Sequence, residues 1–392
     1  MDHVNSFILH SSNDVITVNT EFGFPDLLKK YSYDVIILHY SLFGIFPFSI
    51  NTNFVRFIKS CTNATKIAFF QDEYQYCLQR FDIIKELDIS NIYSLADTKD
   101  AYKIYSSCDS VKAVHYTLTG YVSDDLIKKS EVFSKPFSQR NIDFGYRARQ
   151  LPFLLGKGAQ EKTNIVSEFE KNCDGLSYKN DLSSLNSSRI YGDDWYRFVS
   201  DCKAMLGVEA GVSLFDIDGS AEVEYNEYLQ KKPDSSFDQV YDSVLYKYEL
   251  SEKNIDYRTV SPRIFEAAAF KVCLVLFEGS YSNIIKPNVH YIPLKKDFSN
   301  IKIVLSEFDN VSRRNELVKN AYNDLIRDGQ YSFKQFINSF DEELAKIKVN
   351  KTSTDYQVKD LTSRLKKRED FYRLYLNTKV KFKRFIRKYI LH

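Results

Sequence analysis

Hydrophobic residues along the chain fall into short runs separated by stretches with helical spacing. In the first third, 15–18 (VITV), 34–38 (DVIIL), 66–70 (KIAFF), 91–94 (NIYS) and 111–115 (VKAVH) read as strands. Between them, 53–60, 79–87 and 98–106 have helical character. Alternation of this kind predicts a doubly wound parallel sheet. The segment 131–140 (EVFSKPFSQR) carries a proline and no clear period, so it reads as a linker. A second alternating region follows. It has a strand starting at 141–144, a helix around 160–169, a polar loop at 182–188, and a helix at 194–204 that carries Trp195 as a packing anchor. A strand and glycine-containing loop at 206–219 and charged, solvated helices over 222–254 come next. The run 272–277 (VCLVLF) is almost wholly apolar, as expected of a parallel strand covered on both faces. A short strand at 290–294 and helices at 300–308, 315–326 and 333–347 complete this region. The pattern therefore predicts two Rossmann-like α/β domains, 1–135 and 136–348, and a tail, 349–392.

The tail differs in kind. From Phe371 onward it holds Arg373, Lys379, Lys381, Lys383, Arg384, Arg387 and Lys388 and no acid, with Leu374, Tyr375, Phe382, Phe385, Ile386 and Tyr389 at helical spacing. A basic amphipathic helix fits an anionic membrane surface. Packing on the body of the protein, or on a second copy of the chain in an oligomer, is the alternative.

Composition narrows the classes. A chain of 392 residues, 44% hydrophobic and 15% aromatic, has material for two cores. Its formal net charge of +2 provides no global field for nucleic acid, and no recognition motif points there. The six cysteines show no paired spacing, which argues against disulfides or structural zinc and fits a reducing compartment. No run approaches the ~20 apolar residues of a membrane span, and the first residues lack the pattern of a secretion signal. The expected location is cytoplasmic, peripheral on the inner face of the cell membrane.

Candidate chemistry centres on 261–279, SPRIFEAAAFKVCLVLFEG. Ser261 suits an N-cap and Pro262 the first helical position. The free amides beside Arg263 then form an anion site fit for a diphosphate, with Glu266 one turn further on. A second loop carries Arg147 and Arg149 after a strand, then Gly156-Lys157-Gly158 before a helix. It reads either as a phosphate-holding loop or as exposed surface. His39, Asp72, Glu73 and His115 follow strands of the first domain, where open α/β sheets form their ligand crevice. Asp72, Glu73 and His39 are candidate bases for an acceptor hydroxyl, whereas His115 reads as structural. Asp216-Ile217-Asp218 matches a short metal-and-diphosphate motif of a different fold. The βα pattern and basic loops favour metal-independent stabilisation of a leaving group instead.

These elements together resemble glycosyltransferases of the GT-B fold, in particular the bacterial group with an R-x-F-E-A-A-A block in its C-terminal domain. The likeness is most specific over 261–279 and looser over 290–298 and 321–336. The segment 206–219 also resembles a piece of surface-polysaccharide transferases. The resemblance assigns the ribose hydroxyls of a nucleotide sugar to Glu266. It assigns the diphosphate to Ser261, Arg263, Arg147, Arg149 and Lys157. Many retaining members carry a second glutamate eight positions earlier, where this chain has Arg258, so the stereochemistry stays open. Glu209, Asp216, Asp218 and Arg258 are the candidate sugar contacts. The implied activity is hexosyl transfer from a nucleotide-diphosphate sugar, without cofactor or metal, to a lipid-linked or polysaccharide acceptor of the cell surface, such as O-antigen or capsule. A sugar-nucleotide epimerase or phosphorylase of similar architecture, or a non-catalytic binding protein, are the alternatives.

Overall fold

The computed structural model describes residues 2–347 and 355–389, and only the backbone for 355–357 and 376–389. The first sheet contains β1 (Val35–Leu38), β2 (Thr65–Phe69), β3 (Asn91–Ser94) and β4 (Ala113–Tyr116), parallel and in that order. Helices α1 (Asp2–His10), α2 (Thr52–Ser60), α3 (Cys77–Leu87) and α4 (Thr98–Tyr105) surround it. Alternation along β2 explains its continuous apolar run. Ala68 and Phe70 join the core with Ile84, Leu87 and Ala101, while Ile67 and Phe69 face Phe7 of α1 on the other side. The strand expected at 15–18 is irregular chain, and α1 occupies a stretch for which no element was expected.

Helix α5 (Asp124–Phe133) packs on the second domain through Leu126 rather than on the first, so the expected boundary at 135 falls after an exchanged helix. The second sheet has the parallel order β11-β10-β7-β5-β6. Its strands are β5 (Ile142–Arg147), β6 (Asn180–Ser183), β7 (Cys202–Gly207), β10 (Cys273–Phe277) and β11 (Ile292–Leu294). Every β10 residue is buried, Leu274 and Leu276 toward one layer and Cys273, Val275 and Phe277 toward the other. The layers are α6 (Lys157–Asn172), α7 (Asp193–Asp201), α11 (Pro262–Ala269), α12 (Ile301–Asp309) and α13 (Val311–Tyr322). β6 was not expected and runs into the start of the expected polar loop at 182–188, because it is an edge strand with few apolar residues. The helix expected over 194–204 ends at Asp201, and Cys202 to Ala204 belong to β7.

A short antiparallel pair, β8 (Ala210–Val212) and β9 (Tyr257–Thr259), frames an inserted lobe. The lobe contains α8 (Ser220–Lys231), α9 (Phe237–Val240) and α10 (Tyr246–Glu249), with its own apolar core around Leu214, Val240 and Leu245. The chain then returns to the first domain. Helix α14 (Phe333–Lys346) lays Phe336, Ile337 and Phe340 against Phe69 and Tyr93. The two crossing segments pair with each other, Val122 N–H to the Tyr331 carbonyl at 2.8 Å and Phe333 N–H to the Val122 carbonyl at 3.0 Å. Helix α15 (Asp355–Tyr389) starts on the first domain, where Leu361 and Leu365 are buried and Arg368 donates to the Phe22 carbonyl. The basic stretch from Lys379 to Lys388 lies outside the residues whose side chains are described. The expected architecture, two parallel-sheet α/β domains and a C-terminal helix, is present.

Candidate functional site

The start of α11 is built as its sequence requires. The Ser261 side chain accepts from the Arg263 amide, and Pro262 takes the first helical position. Gly120, from the loop after β4, lies against that proline, where an added Cβ would come 3.1 Å from the ring. The first domain therefore touches the second at the mouth of α11. The Thr119 hydroxyl fixes the contact by donating 2.6 Å to the Val260 carbonyl.

Glu266 points out of α11 toward Trp195, whose indole N–H donates 2.8 Å to its Oε2. Burial pushes the Glu266 carboxyl above its ordinary range, while Trp195 and Arg263 pull it back. Trp195 does more than pack. The Arg263 guanidinium lies 5.2 Å over its ring and also donates to the Arg147 carbonyl. One indole thus sets both the acid and the cation of α11.

Three cations converge beside this helix. Lys162 on α6 is half-buried, and its pKa is lowered to about 8, chiefly by burial. Asp72 across the cleft opposes that shift, and Arg149 and Arg263 add to it. Arg149, Lys162 and Arg263 make no ion pair within 4.0 Å among the described residues. Cations held near one another without carboxylate partners suit a polyanionic ligand. Lys162 escaped the sequence reading because a lysine five residues into an amphipathic helix looks like an ordinary solvated position.

The glycine loop is arranged differently from its expected use. Arg147 pairs with Asp181 at 2.8 Å, donates to the Tyr146 and Asp181 carbonyls, and lies 4.3 Å over Phe198. It ties β5 to β6 through the Asp181 pair. Lys157 turns toward the lobe, with its ammonium 4.2 Å over Tyr241. The Lys157 amide donates to both Glu249 oxygens, at 3.3 and 3.2 Å, and the Gly158 amide to the Ser213 hydroxyl at 2.7 Å. Internal groups of the lobe therefore occupy the α6 N-terminus.

On the first domain, Asp72 follows β2 with φ of 49° and accepts 3.0 Å from the Tyr74 hydroxyl. Its neighbour Glu73 is wholly buried and receives the Ser94, Tyr105 and Tyr257 hydroxyls and the Leu95 amide. The buried Arg80 donates to the Glu73 carbonyl. Glu73 is thus a structural hub enclosed by donors, which corrects its expected role as a base. His39 is held differently: its buried Nε2 has no hydrogen-bond partner among the described residues. Its Nδ1 meets Ser41, its ring packs on Tyr40 and His3, and burial lowers its pKa to about 4. His115 is structural as expected, stacked on Tyr93 with Nε2 3.4 Å from Asn91.

Asp216 and Asp218 cap the start of α8. Asp216 accepts from the Glu222 amide, and Asp218 from the Ser220 amide and hydroxyl. Capping explains this acidic triplet without a metal. Glu209 sits at the end of β7, and its Oε1 accepts from Ser280 and the Tyr281 amide. A Cβ on Gly279 would come 2.6 Å from its Oε2. Arg258 pairs with Asp256 and lies 3.7 Å from Glu209 and 3.9 Å from Glu161, which in turn pairs with Lys296. Arg258 and Glu209 are therefore brought together, and Asp216 and Asp218 belong to the lobe.

No family model matches the chain, and no curated protein matches it. Similar solved structures include TarM, with 14% identity over 82% of this chain and a TM-score of 0.46. The chain spans 57% of the TarM chain. An α-glucosyltransferase in complex with UDP and DNA containing an HMU base has 10% identity, a TM-score of 0.48, and coverage of 82% of this chain and 83% of that one. A UDP-forming α,α-trehalose-phosphate synthase from Burkholderia xenovorans has 10% identity, a TM-score of 0.42, and coverage of 83% and 77%.

Proposed function

We propose that the chain is a nucleotide-sugar-dependent glycosyltransferase of GT-B arrangement. The observation that supports this reading is the cluster of Arg149, Lys162 and Arg263, which make no ion pair within 4.0 Å among the described residues, beside the α11 N-terminus and Glu266. Glu266 keeps Oε1 without a hydrogen bond among the described residues, so it can accept from ribose hydroxyls while Trp195 holds Oε2. The three cations and the amides of α11 receive the diphosphate. In the transfer step the acceptor oxygen bonds to the anomeric carbon as the bond from that carbon to the diphosphate breaks. The negative charge that develops on the departing phosphate is stabilised by the cation cluster, with no metal required. The acceptor proton passes to Asp72 in an inverting reaction or to the departing phosphate in a retaining one. Asp72 is the acid that faces the cations across the cleft, so it replaces Glu73 and His39 as the candidate base.

In this reading the donor sugar is a hexose and the acceptor is a lipid-linked or polysaccharide glycan of the cell surface. The basic second half of α15 carries the enzyme to an anionic membrane surface. No helix among the described residues is long and apolar enough to cross a membrane. A thermal-shift panel of nucleoside diphosphates and their sugars tests the reading. A ligand at about a hundred times its Kd stabilises the folded state by about 2.7 kcal/mol. The expected result is a shift by one nucleotide class that is lost in Glu266→Ala. No shift by any nucleotide overturns the reading.

A further inference from the structure

The C-terminal edge of the first sheet carries a second feature, which the donor does not use. The loop between β1 and α2 reads Leu42-Phe43-Gly44-Ile45-Phe46-Pro47-Phe48 and leaves the Phe46 ring half exposed. Tyr76, just before α3, exposes its ring beside it. The two rings are 6.2 Å apart with planes inclined by 36°. Phe48 stands nearly perpendicular to both, at 89° to Phe46 and 82° to Tyr76. The three rings make a shelf with an upright wall, open to solvent.

The backbone holds this corner at a cost. Tyr76 has φ of 54° and Asp72 has φ of 49°, both in the left-handed region. An aromatic residue is disfavoured there, and such strain persists where the surrounding structure enforces it. One turn, 72–76, therefore holds Asp72 toward the cations of the second domain at one end and the Tyr76 ring in the aromatic corner at the other.

We propose that the Phe46–Phe48–Tyr76 corner seats a pyranose ring of the acceptor. This rests on the glycosyltransferase reading and assigns it an acceptor class, a neutral glycan. A pyranose has an apolar C–H face that lies against an aromatic shelf and a hydroxyl edge that stays in water. The charges nearby also select a neutral ring over an anionic lipid surface. Asp72 lies in the same turn, and the Cys77 thiol at the start of α3 is pushed up chiefly by burial, with the buried Arg80 pulling it down and Asp216 and Glu73 adding to the rise. An anionic headgroup would meet carboxylates there.

Saturation-transfer NMR on the full chain with methyl glucoside, methyl mannoside and methyl N-acetylglucosaminide tests the assignment, with UDP-induced thermal shift as a separate readout. The expected result is saturation of ring C–H protons in the wild type and Tyr76→Phe. It should fall about tenfold in Phe46→Ala and Tyr76→Ala, the size of an aromatic contact. The UDP shift should be unchanged in all of them. Saturation that persists in both alanine variants overturns the proposal, as does its absence from the wild type. Binding to phosphatidylglycerol vesicles that is lost in Phe46→Ala, without glycoside contact, overturns it in favour of a lipid. A missing UDP shift in the wild type removes the donor reading alone and leaves the glycoside result to stand by itself.

Discussion

The Tyr257 hydroxyl, on the β8–β9 hairpin of the second domain, donates 2.6 Å to the Glu73 carboxylate, buried in the first domain. Burial and the Glu73 charge push the hydroxyls of Tyr257 and Tyr105 well above the ordinary tyrosine range, so both remain donors. The contact joins the hairpin and its lobe to the first sheet. Glu73→Ala would strand the Tyr105, Tyr257 and Ser94 hydroxyls and the Leu95 amide in the interior. At about 1–3 kcal/mol for each unsatisfied group, several kcal/mol of stability should be lost. Tyr257→Phe removes one bond to a charged acceptor and should cost about 1.5–3 kcal/mol. Urea unfolding of both variants measures this. A Glu73→Ala protein of wild-type stability would restore Glu73 as a free, functional acid.

Lys162 ties nucleotide affinity to pH. Its pKa of about 8 means that the free protein begins to lose this charge above neutrality. A bound diphosphate would restore it, so binding near and above that pH should take up a proton. Affinity for UDP should therefore weaken as pH rises through about 8. Titration calorimetry in buffers of different ionisation enthalpy detects the proton, which should vanish in Lys162→Met. The stability effect has the opposite sign. A lysine with a lowered folded pKa is carried charged at a cost below that pKa, and stability recovers as pH climbs toward the ordinary lysine value. Lys162→Met should raise Tm at neutral pH while weakening UDP binding.

Trp195 and Glu266 should show the same division between function and stability. Burial raises the Glu266 pKa, so folding disfavours its ionised form, and stability falls as pH rises above the ordinary carboxylate range. Glu266→Gln removes that cost and should raise Tm at neutral pH. It should also weaken UDP binding about 10- to 100-fold, because hydrogen bonds to a charged acceptor are lost. Trp195→Phe keeps the ring under Arg263 but removes the donor that pulls the Glu266 pKa down. The pH below which UDP binding fails should therefore move upward in that variant. An unchanged pH profile would show that the indole only fills space.

The fold was legible where burial was two-sided and the period clear. β2 and β10 stand where their apolar runs predict, because helices cover both faces of each strand. β6 was hidden because an edge strand needs few apolar residues, and α5 and α14 could not be seen to exchange domains because period does not reveal partner. The Ser261–Pro262–Glu266 start of α11 was legible as local chemistry. Glu73 was not, because two adjacent acids after a strand look alike until one is found surrounded by Tyr105 and Tyr257, 32 and 184 positions away. Lys157 and Arg147 had the right residue type in the right loop. Their occupants, Glu249 and Asp181, come from distant segments that no local motif announces.

Glu249 caps α6 from the lobe, which gives the lobe a measurable hold on the second domain. Its carboxylate receives the Lys157 amide on both oxygens, and negative charge is favoured at a helix start. A Cβ on Gly156 would come 2.8 Å from Glu249 and 2.7 Å from Ser213, so the loop approaches this closely only with glycine there. Glu249→Ala should cost about 0.5–2 kcal/mol, the size of a lost N-cap. Glu249→Gln, which keeps an acceptor but not the charge, should cost less, and its deficit should shrink in high salt as the dipole is screened. Hydrogen exchange localises the effect. The Lys157 amide should lose protection in Glu249→Ala, together with amides of α8 and α10, while β10 stays protected. If Lys157 alone speeds up, the carboxylate is only a cap. If the lobe amides follow, Glu249 also holds the lobe on the second domain.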